Sequence, residues 1–159
     1  MQIREALGTE QEEEVVGDVY SAQKADEVLK ITGARGLMIG RGVIRNPWLF
    51  HQIRQYLRGD TLFRPRGRDV LNYVRALYEA VCSPDVREAA QVQKMKRYMN
   101  FLGVGVEPTG QFLHQIRRVT TKAGFLRVCE DFLDHDQPML LEPLSLALKE
   151  SDVMAGEQR

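Results

Sequence analysis

Gly36-Leu37-Met38-Ile39-Gly40-Arg41-Gly42, continuing through Val43-Ile44-Arg45-Asn46-Pro47-Trp48-Leu49-Phe50, decides how this chain is read. Leu37 to Ile39 is an apolar run too short for a helix and suits a buried strand. Gly40-Arg41-Gly42 then breaks the run, and a helix-like pattern follows. Strand, glycine turn and helix in that order aim free backbone N–H groups at an anion. Gly40 and Gly42 lack a Cβ, so a phosphate can approach the main chain, and Arg41 adds a planar fork of donors. The same residues also suit a tight βα turn that holds no ligand, and Gly-Arg-Gly alone does not choose between the two.

Outward from this stretch the pattern is regular. Ser21 is a suitable N-cap, Ala22, Ala25, Val28 and Leu29 recur at helical spacing, and Gly33 follows as a helix-ending glycine. With Leu37–Ile39 this makes a strand-helix-strand unit of parallel sheet, with a right-handed crossover expected. Its first strand has only Val15 and Val16 to offer, after a run of like charges at Glu10, Glu12, Glu13 and Glu14. On the other side, Asn46-Pro47-Trp48 reads as a turn into a further helix with Pro47 at its first position. Ile53 and Leu57 carry that helix to Gly59, and Trp48 reads as a packing residue rather than a base-stacking one.

A longer string narrows the choice. Met38-Ile39-Gly40-Arg41-Gly42 followed by Asn46-Pro47-Trp48-Leu49-Phe50 resembles the end of the flavin barrel in the tRNA-dihydrouridine synthase family. Gly17-Asp18-Val19, with a helix ending in Thr32-Gly33-Ala34, resembles a second motif of that family, which usually reads Asn-Gly-Asp. Val16 stands where the Asn would be, removing a side-chain amide. The resemblance is strong over residues 15–58, looser to about 135, and absent before 15 and after 136.

Length sets the scale of what the resemblance implies. A complete (β/α)8 barrel takes roughly 250 residues, and this chain has 159. The expected fold class is therefore α/β plus all-α: the last two βα units of a TIM-type barrel, then a C-terminal helical bundle. The expected organisation is an irregular or helical acidic start over 1–14, a partial barrel over 15–59 and a linker over 60–66. A helical tRNA-binding domain over 67–135 and a loosely ordered acidic tail over 136–159 follow.

Four helical stretches are expected beyond Gly67. The first carries Val70, Leu71, Val74, Leu77, Tyr78 and Val81 on one face; the second, capped by Ser83 with Pro84 in its opening turn, carries Val92, Met95, Met99 and Leu102. The third follows Pro108-Thr109-Gly110 with Phe112, Leu113 and Ile116, and the fourth opens near Thr121 with Phe125, Leu126, Cys129, Phe132 and Leu133. Stripes this wide belong to helices packing on one another.

The net charge of zero hides a strong asymmetry. Residues 1–20 carry −5 and residues 129–159 carry −6, whereas 21–66 carry +6 and 67–128 carry +5. A basic centre steers polyanions, although solvated helix faces give the same tally. Arg87, Lys94 and Arg97 share a broad face of the second bundle helix, and Arg117, Arg118 and Lys122 crowd the turn between the third and fourth. In the family the helical domain grips tRNA, which makes these six the implied contacts, mostly to phosphate.

The resemblance further implies FMN as cofactor, with Gly17, Asp18, Gly40 and Arg41 at its phosphate. It also implies NADPH as reductant and a uridine flipped out of tRNA as substrate. The loops after the seventh and eighth strands are where such barrels often grip a phosphate. The family's catalytic cysteine lies on an earlier barrel loop. Cys82 and Cys129 sit in helical patterns without a CxxC or histidine companion, so they read as reduced core thiols and no catalytic residue is assigned. His51, His114 and His135 read as surface or capping residues, and Met95 with Met99 as core, so no metal is expected. With neither an 18-residue apolar run nor a signal-type start, no membrane partner and a cytoplasmic location are expected. Two functions stand side by side: a synthase fragment whose missing barrel portion comes from another chain or a longer precursor, and a non-catalytic RNA-binding module or inactive gene fragment.

Overall fold

The computed structural model describes the backbone of residues 14–16 and all of residues 19–142. Residues 1–13 of the expected acidic start (1–14), Gly17 and Asp18, and residues 143–159 of the expected acidic tail lie outside the described residues. The described chain is mostly helical with one small parallel β pair. Strand β1 (Glu14–Val16) lies beside β2 (Gly36–Met38) with Val15 opposite Leu37, and helix α1 (Ala22–Thr32) connects them. Ser21 caps α1 by accepting the Lys24 amide at 3.1 Å, and Gly33 ends it at φ +69°, a conformation that costs glycine nothing.

Two helices follow. Helix α2 (Arg41–Arg45) is a single turn, and α3 (Leu49–Arg58) packs back on α1. Val19, Ala22, Ala25, Leu49 and Ile53 form the small core of this first unit, with Leu37, Ile39, Val28 and Leu62 along its rim. Two details differ from expectation. Arg41 and Gly42 are already helical, with only Gly40 left as the turn. Pro47 precedes α3 instead of opening it, because the buried Asn46 takes over the start: its Oδ1 accepts the Trp48 amide at 3.1 Å.

Residues 60–66 connect the two units but are held in place. The Gln52 amide donates to the Phe63 carbonyl at 2.8 Å and Gln55 Oε1 accepts the Phe63 amide at 2.8 Å. Trp48 lies 6.0 Å from both the Phe63 and Tyr73 rings, so its indole joins the first unit to the second.

The second unit holds α4 (Gly67–Val81), α5 (Glu88–Leu102), α6 (Gln111–Arg118) and α7 (Lys122–Leu133), with a 3-10 turn at Gly103–Gly105. Tyr78, Met95, Met99, Leu102, Phe112, Ile116, Phe125 and Leu133 fill its core. Helix α5 starts later than Ser83 because residues 83–86 close a turn of their own, with the Val86 amide on the Ser83 carbonyl at 3.1 Å. The Gln91 side chain then donates to both carbonyls, Ser83 and Val86, and fixes that turn against α5. At the head of α6, Glu107 accepts the amides of Thr109 and Phe112 and the Thr109 hydroxyl, satisfying donors that a helix N-terminus leaves open.

Order also continues past Asp136, where a loose tail was expected. Residues 137–139 run antiparallel to the linker, with the Gly67 amide on the Gln137 carbonyl at 3.2 Å and the Met139 amide on the Pro65 carbonyl at 2.7 Å. Met139 and Leu141 are buried in the larger core. Gly105 makes room for this return: a Cβ there would stand 2.8 Å from the Leu141 Cα.

Candidate functional site

Parallel strands bring their C-terminal ends to one edge, the edge where open α/β sheets hold ligands. Val19, just after β1, is buried, and its carbonyl oxygen would lie 1.9 Å from a Cβ built on Gly42. The loops leaving β1 and β2 therefore touch main chain to main chain, a contact that only glycine at position 42 permits. Gly42 thus serves packing, although the sequence offered it as a ligand approach. Gly40 differs: a Cβ there meets nothing within 4 Å, so its surface faces open space. Arg41 is exposed beside it. Among the described residues, then, Gly40 and Arg41 stand next to the chain leaving β1. Gly17 and Asp18, immediately before Val19, fall outside them.

The basic side chains of the bundle divide by what they do. Arg87, Arg97, Arg117 and Arg118 are exposed and make no ion pair among the described residues. Lys94 donates its ammonium to the Val81 carbonyl at the end of α4. Lys122 pairs with Glu79 at 2.6 Å, lies 4.7 Å from the centre of the Tyr78 ring, and donates its backbone amide to Glu88 Oε1 at 2.9 Å. Lys96, which sequence reasoning passed over, donates to the Arg117 carbonyl at 2.9 Å. Lys94 and Lys96 thus bring positive charge to the negative ends of two helix dipoles.

The thiols are poorly suited to chemistry. Burial pushes the Cys129 thiol up to about 12. Burial also raises Cys82, against the opposing pull of Lys94 and Lys122. Both cysteines are free. Since the thiolate is the nucleophilic form, neither thiol is poised as a nucleophile near neutral pH. His114 is exposed, His51 packs edge-on against Phe63, and His135 Nδ1 accepts the Gln137 amide. Among the described residues no group of His, Cys, Asp or Glu is arranged to hold a metal, and no helix is long and apolar enough to cross a membrane.

With this arrangement in hand, comparison with known proteins is decisive for kinship. The family model described as Dihydrouridine synthase (Dus) matches residues 14–137. The chain belongs to the dihydrouridine synthase family. A probable tRNA-dihydrouridine synthase of Rickettsia conorii is 32% identical over 97 residues, covering 60% of this chain and 29% of the relative. A tRNA-dihydrouridine synthase B of Xanthomonas campestris is 28% identical over 123 residues, covering 74% and 36%. A probable synthase of Helicobacter pylori reaches 60% identity over 38 residues, covering 24% and 12%. The chain thus spans about a third of the length of such dihydrouridine synthases, at most 36% of the relatives named here.

Proposed function

We propose that this chain is the C-terminal part of a tRNA-dihydrouridine synthase, which reduces uridine in tRNA to 5,6-dihydrouridine with FMN and NADPH. It consists of the last two βα units of the flavin barrel, residues 15–59, and a tRNA-binding bundle from residue 67 onward. The observation that carries this reading is the Val19–Gly42 main-chain contact, which joins the loops of two successive parallel strands at one edge. Gly17, Asp18, Gly40 and Arg41 are the groups proposed to hold the FMN phosphate. The open face of Gly40 and the exposed guanidinium beside it fit a dianion, which main-chain amides and a planar donor fork both favour.

FMN, when bound, supplies the hydride chemistry. This chain's own residues contribute anchoring at the phosphate end and a grip on the RNA. Arg87, Arg97, Arg117 and Arg118 are the phosphate contacts of the bundle. Lys94 and Lys122 join them by giving up part of their internal bonds. No proton donor to uracil is assigned here.

The first unit is also incomplete as a body. Ile31, Met38, Phe50 and Leu57 are 44–73% exposed, and a parallel pair of three-residue strands does not stand alone. We therefore assign the missing barrel portion, in a longer precursor or another chain, as the partner that covers them, in the cytoplasm with the tRNA. The separate core of the bundle favours a second reading, an RNA-binding module without chemistry.

Purification tests the choice. Co-expressed with the preceding barrel units of a family member, the chain is expected to copurify with a yellow flavin and to bind tRNA with strong salt dependence. Salt-sensitive tRNA binding in a colourless complex would leave the binding module. A tRNA affinity unchanged between low and high salt would refute both.

A further inference from the structure

We infer that the outer face of α3, together with the linker, is a second phosphate-binding surface for structured RNA, separate from the one on the bundle. It deepens the RNA reading above and rests on it. Helix α3 contains no acidic residue. His51, Arg54 and Arg58 fall at i, i+3 and i+7, within about 60° of arc on a helix turning 100° per residue. All three are exposed. The bonds from Gln52 and Gln55 to Phe63, whose ring lies 6.1 Å from that of His51, lock the linker along this helix, with the exposed Arg64 next in sequence.

These charges stand without counter-charges on their own helix. On the α4–α7 side Arg68 is paired with Asp134 and Asp136, Arg75 with Glu130 and Lys122 with Glu79, while Arg87, Arg97, Arg117 and Arg118 make no ion pair among the described residues. Among the described residues Arg54, Arg58 and Arg64 make no ion pair or hydrogen bond. An unneutralised arginine row on a rigid helix beside a pinned linker suits a phosphate backbone, since arginine binds phosphate bidentately and pays little to order.

Separation then selects the ligand. The linker enters the N-terminal end of α4, while Lys122 of the α6–α7 turn meets Glu79 near its other end. The two unneutralised patches are thus about the length of α4 apart, roughly 20 Å at 1.5 Å per residue. A mononucleotide reaches one of them. A folded RNA, with helices about that wide, touches both.

The test uses the full chain and a filter-binding titration of unmodified tRNA at several salt concentrations. R54Q, R58Q and R64Q combined are expected to make the plot of log affinity against log salt shallower by about two to three units. Binding at 0.1 M salt should weaken at least about tenfold, with the far-UV circular dichroism unchanged. A charge-matched set on α1 and its exit loop, K24Q, K30Q and R35Q, should shift the slope by less than about one unit. If the two sets act alike, or the α3 set acts not at all while R117Q with R118Q weakens binding, the second surface is refuted and the bundle reading survives. If the parent chain itself binds tRNA without salt dependence, it is the RNA reading that falls. A single-stranded oligonucleotide serves as the second probe: a loss on the α3 set as large as for tRNA would overturn the two-patch geometry.

Discussion

Replacing Gly42 by alanine is the sharpest test of the joined loops. In most helices glycine to alanine stabilises by up to about 1 kcal/mol. Here the added methyl would stand 1.9 Å from the Val19 carbonyl oxygen. Carbon and oxygen need at least about 3 Å, so one of two backbone segments must move by about 1 Å. Overpacking of this kind costs about 1–3 kcal/mol, and backbone yields less readily than a side-chain tip. Because Gly42 lies in the first turn of a five-residue helix, the propensity gain is small and the clash wins. We expect a net loss of about 1–2 kcal/mol, read as a lower midpoint in urea unfolding followed by far-UV circular dichroism. Gly40→Ala is the control: its methyl meets nothing within 4 Å, so stability should change by less than about 0.5 kcal/mol while flavin retention in the completed barrel falls. A G42A protein as stable as the parent, or more so, would refute the main-chain contact and with it the pairing of the two loops.

Three further outcomes follow from other parts of the fold. Asn46→Ala removes the acceptor of the Trp48 amide and the donor to Gln52 from a buried position; a loss of about 1–3 kcal/mol in urea and a red-shifted Trp48 emission are expected. Burial alone would raise the Glu107 pKa, but the hydrogen bonds from the Thr109 hydroxyl and the Phe112, Thr109 and Gly110 amides together hold it below the usual carboxylate range. Its contribution is therefore present above its unfolded pKa and lost as pH falls through the lower folded one. Glu107→Gln should cost at most about 1 kcal/mol at pH 7, discounted for its partial exposure, and should flatten the fall in stability on acidification. Finally, the folded protein should react with a thiol reagent at pH 8 slowly and only at Cys82, with Cys129 appearing on denaturation; fast modification of both would contradict their burial.

The sequence made the helices legible because their signals are local. Ser21 and Thr121 cap where the pattern says they should, and the apolar stripes of α4 to α7 became the core. What it could not reveal depends on partners distant along the chain. Gly42 looks like Gly40 in a string of letters, yet one is filled by Val19 and the other faces open space. Lys122 and Arg118 both read as cations at one turn, but only Lys122 meets Glu79 and Tyr78. The delayed start of α5 turns on Gln91 reaching back to Ser83, an interaction across eight residues that no capping rule anticipates. The basic row of α3 was visible as letters, but its lack of counter-charges became evident only once the ion pairs of α4 and α7 were in view.

The antiparallel meeting of residues 65–67 with 137–139 has a practical corollary. It acts as a buckle: the peptide entering the bundle and the peptide leaving it are fastened side by side. An excised bundle cut at 67 and 135, where the helical pattern suggests, would unfasten it and strip Met139 and Leu141 from the interior. Cut instead at 60 and 142, the excised piece would keep its own fastening, and the paired segments close to its two ends would make it a cassette suited to grafting into a surface loop of another protein.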